Sequence, residues 1–407
     1  MKMLSGHHYR QHGKAHHPAV AVIICAAALI SSACSSWFDN EADNGPEAIT
    51  VADVLGDGDI SGYARAYVPR EFSFPLDHGA HPEYRHEWWY YTGNLETDTG
   101  RHFGFQLTFF RFSLKPHMIE RRSQWAATQM MMAHFALSDI ENNKFYPFER
   151  TSRAAAGLAG ITVQPFKVWV DDWVAMGHED NVWPVRLHAA QEAVEIELNL
   201  TPGKPVVLQG ERGLSRKGSE PGNASYYYSY TRLQTQGRLH IDGDDYAVTG
   251  LSWLDREWGT SSLSKDQSGW DWFALQLVDG RELMFYQLRR KDGSVDPFSS
   301  GIAIDSRGSA RSFTAQAFTI QTMSQWQSPH THILYPSRWH ISMPEAALDI
   351  EIVPLMSGQE LHASLNYWEG AVKIQGTYRD ETVTGYGYVE LTGYDKAGIH
   401  DEVKNGH

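Results

Sequence analysis

Three segments of the chain occur twice, in the same order. EWWYYTGNLETDTGRHFGFQL at 87–107 is answered by GWDWFALQLVDGRELMFYQL at 269–288. WPVRLHAAQEAVEIEL at 183–198 is answered by YPSRWHISMPEAALDIEI at 335–352. QG followed by VTGLSW (236–253) is answered by QG followed by VTGYGY (375–388). Each match alone is weak, but three in one order point to an internal duplication. Inside these segments Val194, Ile196, Leu198 and Leu200 alternate with Glu195, Glu197 and Asn199, and Leu348, Ile350 and Ile352 alternate with Asp349 and Glu351. A period of two marks a strand with one buried face, and helical periods are scarce. The expected fold is therefore all-β, with two antiparallel barrels or sandwiches in tandem. Closure removes exposed strand edges, and a barrel of eight strands leaves room for one small ligand. The offset between partners shrinks along the chain (87 to 269, 183 to 335, 248 to 383), so the first half carries insertions, mainly within 112–182 and 200–230. Loops inserted on a β scaffold are where sites tend to be built, which favours the first half as the functional one.

Composition narrows the partners. The 407 residues include 42% hydrophobic and 21% charged side chains, a globular rather than a disordered balance. A net charge of −14 argues against a nucleic-acid partner and against attachment through anionic lipid. Two cysteines exclude a disulfide framework and any multi-cysteine zinc site.

The N-terminus sets the expected compartment. Lys2, Arg10 and Lys14 precede an apolar run, Ala19 to Ile30, that is too short to span a bilayer. It ends in Ser31-Ser32-Ala33-Cys34, which is similar to a bacterial lipobox with Ser31 where Leu is usual. Residues 1–33 are thus expected to be a lipoprotein signal peptide, with Cys34 acylated. An ordinary signal peptide cut nearby is the alternative. Ser35, rather than Asp, after the cysteine points to an outer-membrane lipoprotein facing the periplasm of a bacterial envelope. Cleavage removes Cys25, the His7-His8, His12 and His16-His17 cluster and three bases, which deepens the negative charge. Residues 34–70, with frequent Asp, Glu, Gly and Pro, read as a flexible tether.

HPEYRHEWWYYTGNL (81–95), YYYSYTRL (226–233) and VTGLSWLDREWG (248–259) together resemble the CrtC/AttH family of bacterial proteins, over most of 70–400. The resemblance implies two lipocalin-like barrels side by side, here an N-terminal domain over 71–260 and a C-terminal domain over 261–402. One branch of that family is the acyclic carotenoid 1,2-hydratases. Another is secreted or lipoprotein members, often associated with ABC-type export permeases and sometimes labelled predicted hydrolases. The hydratase motif has histidines on both sides of its Asp. Asp255, Trp258 and Gly259 fit that motif, while Leu254 and Arg256 stand where the histidines would be. That departure weighs against hydratase activity. The Gly-x-Trp signature of ordinary lipocalins is absent in clear form.

Hydrating an unactivated alkene takes an acid to protonate carbon, aromatic faces to stabilise the cation and a base to direct water. An apolar cavity keeps a carboxylic acid protonated. Asp255, Glu257 and Asp271 are the candidate catalytic residues, set among Trp253, Trp258, Trp270 and Trp272. The segment Asp255-Arg256-Glu257-Trp258 also breaks the repeat, whose second copy reads Glu390-Leu391-Thr392-Gly393. The bland reading is that Arg256 pairs with a neighbouring acid and the tryptophans cap the barrels. His78, His81, His86 and Glu87 lack any standard zinc spacing and read first as surface polar groups at a barrel entrance. His86 and Glu87, with Trp88, could instead aim into a cavity. His134 and Tyr228 complete the candidate ligand-binding set; core packing is the default for His134, while Tyr226, Tyr227, Tyr228 and Tyr230 could offer hydroxyls to a ligand or, equally well, pack as an aromatic strand between the barrels. Met130, Met131 and Met132 could line an adaptable pocket, with core packing again the default. His188 and His340 occupy equivalent repeat positions and read as structural. No cofactor or metal is expected.

There is no Gly-x-Ser-x-Gly elbow and no phosphate-cradling loop, so hydrolase chemistry gains nothing from the residues. Three readings stay open. The first is a lipid-anchored binding protein for a lipid or isoprenoid, accessory to an ABC-type permease. The second is a hydro-lyase adding water to an isoprenoid alkene. The third is a pair of glycan-binding sandwiches whose tryptophans stack on sugars.

Overall fold

The computed structural model describes residues 60–116, 127–179, 181–260 and 263–395. The signal segment and Cys34 lie outside these. Among the described residues the chain is strands and turns, with three single-turn 3-10 helices and no α-helix. The strands form two antiparallel sheets. The first runs in space from Lys144–Arg153 through Gln129–Asp139, His102–Ser113, His86–Glu96, Asp244–Gly259, Ala224–Ile241, Val194–Pro202, Asn181–Gln191, Trp173–His178 and Phe166–Val170 to Ala159–Val163. The second runs from Ala310–Thr314 through Ser300–Ile304, Glu282–Arg290, Gln267–Leu277, Glu381–Leu391, Asn366–Tyr378, Leu348–Pro354 and Leu334–Met343 to Thr319–Gln327. The duplication is plain in the pairing. The opening strand of each half lies against its closing strand, His86–Glu96 on Asp244–Gly259 and Gln267–Leu277 on Glu381–Leu391.

Each sheet curls around its own apolar core. In the first, Phe135 from one end of the sheet meets Trp173 from the other, with ring centroids 5.6 Å apart. Arg150 on the edge strand donates to the Ala190 carbonyl at 3.0 Å and to Gln191 at 2.9 Å. In the second, Phe285 packs on Phe318 at 5.0 Å and Phe273 on Trp339 at 5.5 Å. The result is the all-β pair of lipocalin-like barrels that the repeat and the family resemblance led us to expect.

The barrels pack side by side through the outer faces of their central strands. At Gly104 a Cβ would fall 2.5 Å from the Ala371 Cβ, so the contact is close enough to require glycine. Polar groups tie the rest. Asn94 Nδ2 donates to the Gly387 carbonyl at 2.9 Å, and Ser138 Oγ to Gln359 at 2.7 Å. Glu282, fully buried, takes Lys204 at 2.6 Å and also Arg232 from the first barrel.

One expectation needs correcting here. Residues 60–70 fell within the expected tether, yet they are packed. Tyr63 donates to the Ser113 carbonyl at 2.9 Å, the Ala64 N–H to the Glu83 carbonyl at 2.9 Å, and Ala66 is buried. The few apolar side chains in this stretch find the open rim of the first barrel, which composition alone does not reveal.

Candidate active site

The site follows from strand parity. Successive residues of a strand face opposite sides of the sheet. Along Asp244–Gly259, Leu254 and Trp258 join the core of the first barrel, while Trp253 joins a separate cluster between the barrels. Asp255 and Glu257 share the Trp253 face, and Arg256 shares that of Leu254 and Trp258. The strand register extends this division sideways. Trp88 pairs with Glu257 and Tyr90 with Asp255, while Tyr227 and Ser229 pair with Glu257 and Asp255 on the other flank. In the second barrel Trp270, Trp272 and Glu390 face the same gap, whereas Phe273, Val389 and Leu391 fill the core.

The gap is a cavity with about 720 Å³ of empty space, its open mouth included. Trp88, Tyr90, Phe110 and Tyr227 line it from the first barrel, and Trp270, Trp272, Tyr286 and Leu288 from the second. Leu263 and Lys217 also line it. Three acids sit among these aromatic faces: Asp255, Glu257 and Glu390.

Asp255 is 3% exposed. It accepts hydrogen bonds from the Tyr227 hydroxyl at 2.6 Å, the Trp253 Nε1–H at 2.6 Å and the Ser229 hydroxyl. Burial pushes its carboxyl up, against the pull of those donors and with a push from Glu257, to about 7. Burial pushes Glu390 up as well; Trp270 opposes and the Asp255 and Glu257 charges add, leaving it at about 8. Behind Glu390 lies its cross-strand neighbour Glu369, fully buried, which accepts from the Tyr90 hydroxyl at 2.6 Å. Burial and Glu390 hold Glu369 well above the usual carboxylate range. Glu257 takes the Ser225 hydroxyl and the Lys217 ammonium. Burial disfavours the Lys217 charge, but Glu257 and Tyr286 outweigh it and raise its pKa.

The cavity thus gathers Asp255, Glu257, Trp88, Tyr227, Trp270 and Trp272 from the candidate residues, with Trp253 directly behind Asp255. The other candidates stand elsewhere. Asp271 points into the second barrel, where Arg289 holds it at 3.0 Å and Tyr394 donates at 2.9 Å. Parity places it there, opposite its neighbours Trp270 and Trp272. Glu87, Arg256, Trp258 and Tyr228 belong to the first barrel interior. Glu87 is fully buried and bonded to Arg111 and Arg256. Burial works against its charge, yet the two guanidinium groups hold its carboxyl far below the usual range. Arg256 also lies 3.8 Å over the Trp89 ring. Tyr228 bonds His78 at 2.6 Å.

The histidine cluster is not a surface feature. His78, His81 and His86 are all buried. His81 stacks on Trp258 with centroids 3.8 Å apart and bridges Asp77 at 3.0 Å and Glu87 at 3.3 Å. Burial pushes His78 down to about 4, with Arg256 adding to the effect. His86 stacks on Trp88 at 6.0 Å, next to the cavity but outside its lining. The strap 72–86 folds over the barrel mouth and carries these rings inward, which local sequence does not announce. His134 is likewise buried between the barrels, bonded to the Tyr367 hydroxyl and to Glu149 at 3.0 Å. Phe110 separates it from the cavity, with ring centroids 5.3 Å apart.

Tyr90, Lys217, Tyr286, Glu369 and Glu390 were not among the candidates. A signal for Glu390 existed: the repeat aligns it with Asp255. The two carboxyls occupy equivalent positions in the two halves and meet across one cavity. Among the described residues no group of three or more His, Cys, Asp and Glu could hold a metal ion.

Comparison with known proteins follows the same lines. A family model described as AttH-like matches residues 65–394. The crystal structure of an AttH protein from Nitrosomonas europaea is 38% identical, covers 81% of this chain and 99% of its own, and superposes with a TM-score of 0.73. Kievitone hydratase from Fusarium solani subsp. phaseoli is 23% identical over 221 residues, 52% of this chain. The match spans 61% of that relative's length, less than two thirds. The crystal structure of kievitone hydratase from Nectria haematococca matches at a TM-score of 0.62 and 13% identity, over 79% of this chain and 93% of its own, a likeness of fold.

Proposed function

The chain belongs to the AttH-like family, and from that premise we propose that it is a hydro-lyase of the hydratase type, adding water to an isoprenoid alkene held between its barrels. One observation carries the reading. A single aromatic-lined cavity holds two acids, Asp255 and Glu390, with pKa values of about 7 and about 8. Kinship with kievitone hydratase supports the same reaction class.

Glu390 is the acid: burial and the neighbouring carboxylates favour its protonated form, and one donor, Trp270, opposes them, against three on Asp255. At neutral pH it carries a proton that it can deliver to an alkene carbon. A C–H bond forms, the C=C π bond breaks, and a tertiary cation is left against the Trp and Tyr faces. Asp255 is the base, its anion stabilised by three donors. Water adds to the cation and passes its proton to Asp255. Return of that proton through solvent and reprotonation of Glu390 restore the starting state. The net reaction is alkene plus water to alcohol. The histidines missing at 254 and 256 do not count against this chemistry, because both positions face the first barrel interior rather than the cavity.

The test is incubation of the protein with a panel of isoprenoid alkenes in ¹⁸O-labelled water. The expected product is an alcohol carrying the label, lost by a factor of about 10²–10⁴ in Glu390→Gln and Asp255→Asn. If every alkene binds and none gains oxygen, the hydratase reading falls, and a binding protein for hydrophobic molecules takes its place. From the N-terminal sequence we also propose acylation at Cys34 and an outer-membrane address facing the periplasm, and from the family resemblance an ABC-type permease as partner. Release of a Cys34→Ser variant from the membrane fraction checks the first of these.

A further inference from the structure

We propose that Lys217 and Glu257 form a hydroxyl-recognition site in the cavity wall, so that the ligand is an alcohol or phenol bearing an apolar alkene tail. This deepens the hydratase reading and rests on it for the reaction of the bound alkene. The binding chemistry stands on its own geometry.

Lys217 lies just after the short strand Leu214–Arg216, within the 200–230 insertion of the first half. Its backbone is fixed. The Lys217 N–H donates to the Asn223 carbonyl at 3.0 Å, and its carbonyl accepts from Gln267 Nε2 at 2.8 Å. Its side chain is 11% exposed and is the one cation among the described residues lining the cavity. Nζ sits 3.2 Å from Glu257 Oε1 and 4.5 Å from the Tyr286 ring centroid. An ammonium has three N–H groups, and Glu257 is its only carboxylate partner among the described residues. Ser225 donates to Glu257 Oε1 and the Lys217 ammonium pairs with the same oxygen; among the described residues no side chain bonds Oε2. A spare cationic donor beside a spare anionic acceptor matches a hydroxyl, which accepts from one and donates to the other.

The same surroundings reject other head groups. A hydrocarbon leaves Lys217 and Glu257 paired only with each other and Ser225, and their remaining hydrogen-bonding capacity is then desolvated with nothing to meet it. A phosphate or carboxylate meets one lysine but also Glu257 and Asp255. The tail then lies along Trp88, Trp270 and Trp272, towards Asp255 and Glu390.

The experiment is titration of the full chain with farnesol, farnesene and farnesyl diphosphate, read by quenching of tryptophan fluorescence. Farnesol is expected to bind at least about tenfold tighter than either of the others. Lys217→Met is expected to abolish the preference for farnesol over farnesene. Equal binding of the three by the native chain overturns the proposal, and so does a folded Lys217→Met variant that keeps the preference. Should that variant fail to fold, the ranking by the native chain decides. The ¹⁸O measurement separates the two readings: a farnesol preference without turnover keeps the hydroxyl site and removes the hydratase.

Discussion

Arg256 shows how one side chain misleads when its direction is unknown. It occupies a position where the hydratase motif that the chain resembles led us to expect histidine, beside the proposed base Asp255. Yet it points away from that residue, stacked on Trp89 and bonded to Glu87. Its role is to neutralise a buried carboxylate. Arg256→His is therefore expected to yield no gain in alkene hydration. It should lower stability by roughly 3–5 kcal/mol, the usual cost of breaking a buried ion pair; a urea melt and the ¹⁸O measurement check both halves. The acids at work titrate near neutrality, and the sign of their pH dependence follows. The proposed turnover requires Glu390 protonated and Asp255 ionised. The rate should fall below about 7 as Asp255 takes up a proton and above about 8 as Glu390 loses one. A kcat/KM profile flat across this range would remove the pair from the mechanism. The two titrations interact, so the limbs belong to the pair.

At the scale of strands, the cavity is built by repetition. The closing strand of each half delivers one acid, Asp255 from Asp244–Gly259 and Glu390 from Glu381–Leu391. The opening strand of each half delivers the aromatic faces, Trp88 and Tyr90 or Trp270 and Trp272. Alternation then separates these from neighbours committed to the cores, such as Trp89 and Phe273. Glu390 has a further consequence for its strand. Its pKa in the folded state lies above that of an exposed glutamate, so the native protein binds more protons than the unfolded chain between about 4.5 and 8. Stability therefore declines as pH rises through that window. Glu390→Gln removes the decline, so the variant should gain on the native protein between pH 5 and pH 9, by on the order of 1–3 kcal/mol after allowing for partial exposure. Thermal melts at the two pH values measure it, and a constant difference would contradict the shift.

At the scale of the molecule, function depends on how the barrels meet. The close approach at Gly104 and the clamp of Lys204 and Arg232 on Glu282 hold the two walls of the cavity in place. Glu282→Ala strands two cations between the barrels and is expected to cost about 3–5 kcal/mol and to weaken ligand binding, although it touches no cavity residue. A thermal melt with a fluorescence titration on the same sample shows both. Loss of stability with unchanged affinity would mean that the cavity does not depend on this clamp.

Alternating side chains and three ordered repeats were enough to read an all-β fold of two related units, and the family resemblance made those units barrels. They carry that information because strand periodicity is local and duplication preserves order. The same local patterns placed Asp255 beside aromatic residues and marked Trp88, Trp270 and Trp272. They could not say which of Asp255, Arg256, Glu257 and Asp271 share a space. That depends on which face of each sheet meets the other barrel, and only docking of the two barrels chooses it. Glu390 could have been found from its alignment with Asp255, but a repeat does not reveal that its two copies face one another. The burial of His78, His81 and His86 depends likewise on a strap folding over the barrel mouth. The pKa values of Asp255 and Glu390 come last in this order, because desolvation is a property of the closed cavity and not of either segment.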